Sequence, residues 1–145
     1  MKEKLYKALD RQVANLSVLF TKLHHYHWYV TGPNFFALHA KFEELYDHIN
    51  ELYDEFAERL LTIGGKPSST QKAYLELATL KEATGIETAM DMVKGLLSDF
   101  ELIVKELKED LKIAQALEDE ATADLYIGSI AEFEKTIWML KFTLK

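Results

Sequence analysis

The sequence predicts an all-α protein: four long amphipathic helices in two pairs, joined by a long crossover that carries a short helix of its own. Three observations lead there. Apolar residues recur in alternating steps of three and four along four long stretches, the pattern of a helix with one buried face. Six glycines and two prolines punctuate 145 residues, and most fall between those stretches. Roughly twenty residues separate the second stretch from the third, longer than a turn inside a compact domain needs.

The first helix is expected over residues 3–30. Leu9, Val13, Leu16, Phe20, Leu23 and His27 form its seam. Thr31-Gly32-Pro33-Asn34 ends it, because glycine closes a helix and proline cannot continue one. The second helix is expected over 35–63, with Phe35, Leu38, Phe42, Leu45, Ile49, Leu52 and Phe56 on its seam and Gly64-Gly65-Lys66-Pro67 as its stop. Within the crossover, Gln71–Thr79 holds enough helix formers for a short helix lying outside the bundle. The third helix is expected over 86–117, with Met90, Val93, Leu97, Phe100, Val104, Leu107, Leu111 and Ala114 on one face. Glu118-Asp119-Glu120 interrupts it, and the fourth follows over 121–143. Two helices, a long crossover and two more is the connectivity of the ferritin-like four-helix bundle. With no internal repeat, the chain reads as one domain over residues 1–145 with one core.

Composition removes several function classes. There is no cysteine, so a disulfide framework, a thiolate nucleophile and a thiolate zinc site are all excluded. A hydrophobic content of 48% excludes wholesale disorder. No run of about 18 apolar residues exists, so no membrane-spanning helix is expected. The N-terminal MKEKLYKALDRQ reads as an amphipathic helix rather than a signal peptide, so the expected compartment is the cytoplasm. The net charge is −7 and the pI about 5.2, a balance that attracts cations and repels nucleic-acid phosphates.

Helix two carries four metal-type side chains placed symmetrically about its midpoint: His39 mirrors Glu58, and Glu43 mirrors Asp54. An antiparallel copy of the same helix, related by a two-fold axis, would bring each residue to its mirror mate. Within one helix the two halves cannot meet, since the fifteen residues from His39 to Asp54 span roughly 22 Å. At about 100° per residue the four fall within about 100° of arc, largely opposite Phe42, Leu45, Ile49 and Phe56. Tyr46, Asn50 and Tyr53 share that outward side. His27 holds a seam position near the end of helix one, where the short turn brings it towards His39. Imidazole and carboxylate together suit Fe(II), Zn(II) or Mn(II).

Two readings stand at this point. Either the stripe is a solvated helix face and His27 a hydrogen-bonded core residue, or these are ligands of a site completed by a second subunit. The usual di-iron arrangement is absent: no histidine has Glu three residues before it, and helices three and four show no inward His/Glu set.

The run His27-Trp28-Tyr29-Val30-Thr31-Gly32-Pro33-Asn34-Phe35-Phe36-x-Leu38-His39-x-x-Phe42-Glu43-x-Leu45-Tyr46 resembles the Dps family, the mini-ferritins of bacteria and archaea. Asp54-x-x-Ala57-Glu58-Arg59, Gly64-Gly65-x-Pro67 and Glu134-Lys135-Thr136-Ile137-Trp138-Met139-Leu140 extend the likeness over essentially the whole chain. The resemblance implies a hollow homododecamer with ferroxidase centres at its two-fold interfaces. His27 and His39 would come from one subunit, and Asp54 and Glu58 from its partner. The family usually has Asp where this chain has Glu43, which is one methylene longer and still able to bind metal or hold a water. Trp28 matches a tryptophan implied to take part in the redox chemistry by absorbing stray oxidising equivalents; simple packing is its plainer role. Iron would be oxidised, preferably by hydrogen peroxide, and stored as ferric mineral, with zinc or manganese as substitutes. Asp119 and Asp124, beside Glu118 and Glu120, are candidates for an acidic entry pore, or else a solvated helix junction.

Two other functions compete. Some family members condense DNA with a long basic tail and protect the nucleoid. Here Lys2, Lys4, Lys7 and Arg11 are mixed among acids, the C-terminus offers only Lys141 and Lys145, and each subunit carries −7, so DNA binding is disfavoured. The other alternative is a structural assembly in which the metal stripe is incidental.

Overall fold

The computed structural model describes residues 1–145 and contains five helices and no strand: α1 (Lys2–Tyr29), α2 (Phe35–Thr62), α3 (Gln71–Leu77), α4 (Ala89–Ala116) and α5 (Glu120–Thr143). Each expected helix is present. No helix is long and apolar enough to cross a membrane.

Leu9–Met92 forms one compact unit, holding most of α1, all of α2 and α3, and the crossover. Leu9, Val13, Leu16, Leu19 and Leu23 of α1 are buried, as are Leu38, Phe42, Leu45, Ile49, Leu52 and Phe56 of α2. The α2 seam is therefore the expected one, apart from a half-buried Phe35 at its first turn. Burying each such side chain contributes about 1.5–3 kcal/mol. The turn between α1 and α2 needs Gly32 at φ +111°, and the Phe35 amide donates to the Gly32 carbonyl at 3.1 Å. At its other end α2 closes with the Gly65 amide on the Leu60 carbonyl and the Gly64 amide on the Leu61 carbonyl, with Gly64 at φ +102°. This paired arrangement satisfies the last carbonyls of the helix.

The crossover lies along α1, held by polar contacts spaced down that helix. Asp10 accepts from the Ser68 amide at 2.7 Å and the Ser68 hydroxyl at 2.6 Å. The fully buried Asn15 accepts from the Thr79 amide at 2.8 Å and the Leu80 amide at 3.2 Å. The Lys22 ammonium donates to the Lys81 carbonyl at 2.9 Å, and the Tyr26 hydroxyl reaches Glu87 at 3.4 Å. Buried polar groups are tolerated when they are hydrogen-bonded, and these satisfy backbone that no regular element serves.

Expected helix three begins at 86, but α4 begins at Ala89. Thr88 and Asp91 bond each other reciprocally, side chain to amide, both at 3.1 Å, which fixes Thr88 as the cap. Glu87 is spent on the preceding turn, accepting from the Thr84 and Gly85 amides at 2.9 Å each.

Met1–Ala8 and Val93–Lys145 form the second unit. Leu96, Phe100, Ile103 and Leu107 of α4 are buried, and Tyr126, Ile130 and Phe133 of α5; Phe100 and Phe133 stack at 5.3 Å. Of the expected α4 face, Val93, Phe100, Val104, Leu107 and Ala114 are buried, whereas Met90, Leu97 and Leu111 are only half-buried and Leu96 and Ile103 are buried beside them. Apolar residues occupy adjacent positions at 96/97 and 103/104, so spacing alone fits either face. Asp99, Glu106 and Asp110 of α4 are buried, but no histidine is buried with them on α4 or α5. The junction with α5 puts Glu118 at φ +57°, and the Asp119 amide bonds the Ala114 carbonyl at 3.0 Å. Asp119 then caps α5, accepting from the Thr122 amide at 3.1 Å and hydroxyl at 2.6 Å.

Asn15→Ala would strand the Thr79 and Leu80 amides, each loss being worth about 1–3 kcal/mol. Urea unfolding should therefore show a destabilisation of about 2–6 kcal/mol, and a change near zero would remove Asn15 as the anchor. Burial pushes the Glu87 carboxyl up, but bonds from the Thr84 and Gly85 backbone and the Thr84 hydroxyl outweigh it and hold it at about 2, below its ordinary 4.5. A depressed carboxyl stabilises above its unfolded value and loses that contribution as pH falls towards its folded one. The gap in unfolding temperature between wild type and Glu87→Ala should be constant above about pH 5 and close towards about pH 2. A gap that persists at the acid end would contradict this.

Candidate metal centre

The last turn of α1 and the first turns of α2 meet through two histidines. His27 is buried and His39 half-buried. Their rings stack with centroids 3.7 Å apart and planes 13° apart. Nδ1 of His27 bonds the His39 carbonyl at 2.7 Å, and Nδ1 of His39 bonds the His27 carbonyl at 2.7 Å. A carbonyl oxygen only accepts, so both Nδ1 atoms carry hydrogen. In the neutral ring the lone pair is then on Nε2, the atom left to bind a cation. Tying the second ring nitrogen to a carbonyl is also how metal-binding histidines are oriented. Phe35 packs on the other side of His39, with centroids 5.0 Å apart.

Glu43, one turn beyond His39, places its Oε1 3.7 Å from Nε2 of His27. Two lone-pair donors this close repel unless a proton or a metal ion lies between them. Imidazole and carboxylate form a donor set that fits Fe(II), Zn(II) or Mn(II). Asp54 and Glu58 are exposed on α2, the first of them fifteen residues beyond His39 and so roughly 22 Å along a straight helix. The structure thus brings His27, His39 and Glu43 together and leaves Asp54 and Glu58 apart. No group of three or more His, Asp or Glu side chains in one chain is arranged to hold a metal ion, and the buried acids of α4 form none either.

Trp28 is 66% exposed, and its ring lies 5.4 Å from that of His24. Asp119 is committed to capping α5, whereas Asp124 is exposed and lines a surface pocket with Gln115, Glu118, Glu120, Ala123 and Ile127. Sequence reading passed over His24 and noted Tyr46 as an outward residue and as the last position of the family-like run. His24 stacks on Tyr46 with centroids 3.8 Å apart, and Tyr46 meets His27 edge-on at 5.3 Å. The available signal was spacing: His24 lies one turn before His27, and Tyr46 one turn after Glu43. Burial, then the charges of Glu43 and Asp47, hold the Tyr46 phenol above its ordinary value. On the outward side of α2, the Tyr53 and Tyr74 hydroxyls are 2.5 Å apart, tying α3 to α2 beside Asp54.

Helix order defines a ferritin-like four-helix bundle, and the family profile described as a ferritin-like domain matches residues 6–145. The chain is 51% identical to DNA protection during starvation protein 2 of Bacillus anthracis, over 97% of each chain. It superposes on the crystal structure of a Dps protein from Bacillus brevis with a TM-score of 0.96, at 50% identity, covering 97% of this chain and 95% of that one. A Dps structure from Listeria innocua soaked with 10 mM zinc gives a TM-score of 0.94 at 41% identity, covering 97% and 95%. The chain belongs to the Dps family, with the ferritin-like all-α fold that its helix order predicts.

Proposed function

We propose that this chain is the subunit of a ferroxidase that oxidises Fe(II), preferably with hydrogen peroxide, and stores ferric mineral inside a hollow dodecamer. The observation that carries the reading is the His27–His39 clamp, which frees two Nε2 atoms beside Glu43 while the remaining acids of the stripe lie too far along α2 to join them. Half of a ligand set at each end of one straight helix is what a two-fold interface completes. In this reading His27 and His39 of one subunit bind iron with Asp54 and Glu58 of the partner subunit. Glu43 holds a second iron or a water. Zinc and manganese can occupy the same donors, and the acidic surface draws cations in, with Asp124 and Asp119 near the entry. The proposed compartment is the cytoplasm.

The chemistry requires balanced electrons. Two Fe(II) give one electron each, hydrogen peroxide takes both with two protons, and the products are two Fe(III) and two waters. Paired irons therefore consume peroxide without hydroxyl radical, which protects against oxidative damage. The stacked, doubly tethered histidines hold their donors in place before iron arrives, so little ordering is required on binding. Trp28, exposed beside the centre, takes up oxidising equivalents that escape.

Stopped-flow absorbance after anaerobic Fe(II) loading tests the reading, with peroxide compared with dioxygen. Wild type should oxidise Fe(II) far faster with peroxide than the protein-free control does. His27→Ala/His39→Ala and Asp54→Ala/Glu58→Ala should each be inactive as assembled oligomers. Refolding the two variants together should restore activity to about a quarter of the wild-type sites, because only mixed pairs hold one intact set. Inactivity of the mixture would refute a shared site. The net charge of −7 per subunit argues against a DNA-condensing role, and retardation of duplex DNA at low salt without added divalent metal would overturn that.

A further inference from the structure

We propose that the cavity between α1, α3 and the crossover binds a small zwitterion of amino-acid type, whose carboxylate meets Lys22 and Ser17 and whose ammonium meets Glu82. The cavity holds about 240 Å³. At about 30 Å³ for a water in the liquid, that is room for roughly eight waters or one small metabolite. Ser17, Val18 and Lys22 of α1 line it and are buried, so they form its floor. Gln71 and Leu75 of α3 and Glu82 of the crossover line it and are exposed, so they form its rim. A concavity with apolar walls and a few convergent polar groups is the ordinary form of a small-molecule site.

The polar groups here are not spent on the fold. The Ser17 side chain is only 9% exposed, yet its hydroxyl has no hydrogen-bond partner in the chain. A serine inside a helix commonly bonds the carbonyl four residues back, as Ser129 does to Leu125 at 2.8 Å. A buried hydroxyl that makes no such bond is costly unless something else in the cavity accepts from it. Glu82 makes no hydrogen bond or ion pair, with Lys22 or with any other group. The Lys22 ammonium is instead fixed on the Lys81 carbonyl at 2.9 Å. Opposite charges therefore line one cavity without neutralising each other. A simple anion would be repelled by Glu82, and a simple cation by Lys22. A molecule carrying both charges satisfies each, and Val18 and Leu75 offer apolar surface to its side chain. The bond from Tyr74 to Tyr53 holds α3 in place as one wall. Binding here requires no iron, so it stands apart from the ferroxidase chemistry.

Calorimetric titration of the assembled, metal-free oligomer with L-leucine tests the site. Two probes share its skeleton: 4-methylpentanoate lacks the ammonium, and 3-methylbutylamine lacks the carboxylate. Leucine should bind saturably, and each of the other two roughly ten-fold more weakly, the loss expected for one charge-assisted bond. Glu82→Gln should weaken leucine by a similar factor and leave 4-methylpentanoate no weaker. Ser17→Ala should weaken leucine and 4-methylpentanoate alike, with no fall in unfolding temperature, because the hydroxyl supports nothing in the fold. Absence of saturable leucine binding would overturn the proposal. Leucine bound equally by wild type and Glu82→Gln, or no more tightly than 4-methylpentanoate, would overturn it in favour of a site for small anions.

Discussion

A helix of 28 residues is a rigid spacer, and α2 sets the distance on which the proposed metal site depends. Its hydrogen bonds fix the rise per residue, so His39 near one end and Glu58 near the other cannot approach within one chain. Everything at the site follows from that separation. The histidine end is built into the turn between α1 and α2, where backbone carbonyls, and not acids, orient the two rings. The carboxylate end is left exposed, fit to serve another copy. In the proposed pairing each subunit is at once a receiver and a donor, and an unassembled chain has no complete centre. In the proposed function, such a division confines oxidation to the assembled oligomer.

The supporting structure is spent on holding α1 in place. Asp10, Asn15, Lys22 and Tyr26 carry the crossover down the length of that helix. Each uses a polar side chain to satisfy irregular backbone, which would otherwise lose its hydrogen bonds to water on burial. The same helix ends in His24, His27 and Trp28. Stability of the crossover and the aim of the candidate metal-binding rings therefore share one element. The Tyr53–Tyr74 bond makes a parallel link on the other side, tying the crossover helix to α2 beside Asp54.

Around the histidines, aromatic packing serves two ends. Phe35, His39, His27, Tyr46, His24 and Trp28 run in sequence from a half-buried end to an exposed one. Dry aromatic walls strengthen the electrostatics of any ion placed beside them. They also put oxidisable rings beside the candidate ligand His27.

The sequence by itself determined the helices, their order and the metal-type stripe, because each is a local or periodic property. Turn residues at 31–34 and 64–67 marked the ends of α1 and α2, and the seam of α2 from Leu38 to Phe56 is the buried one. The motif from His27 to Tyr46 also carried the family. Tertiary structure decided what depends on contacts between distant residues. The start of α4 went to Thr88 because Glu87 is drawn into its own turn. The buried face of α4 was ambiguous where apolar residues are adjacent, and Asp99, Glu106 and Asp110 are buried although their chemistry reads as surface. Asp119 read as pore lining or as part of a solvated helix junction, and only the fold shows that its carboxylate caps α5. The ring stack and the reciprocal carbonyl bonds of His27 and His39 depend on the fold of the turn between their helices, and no spacing rule encodes which nitrogen is left free.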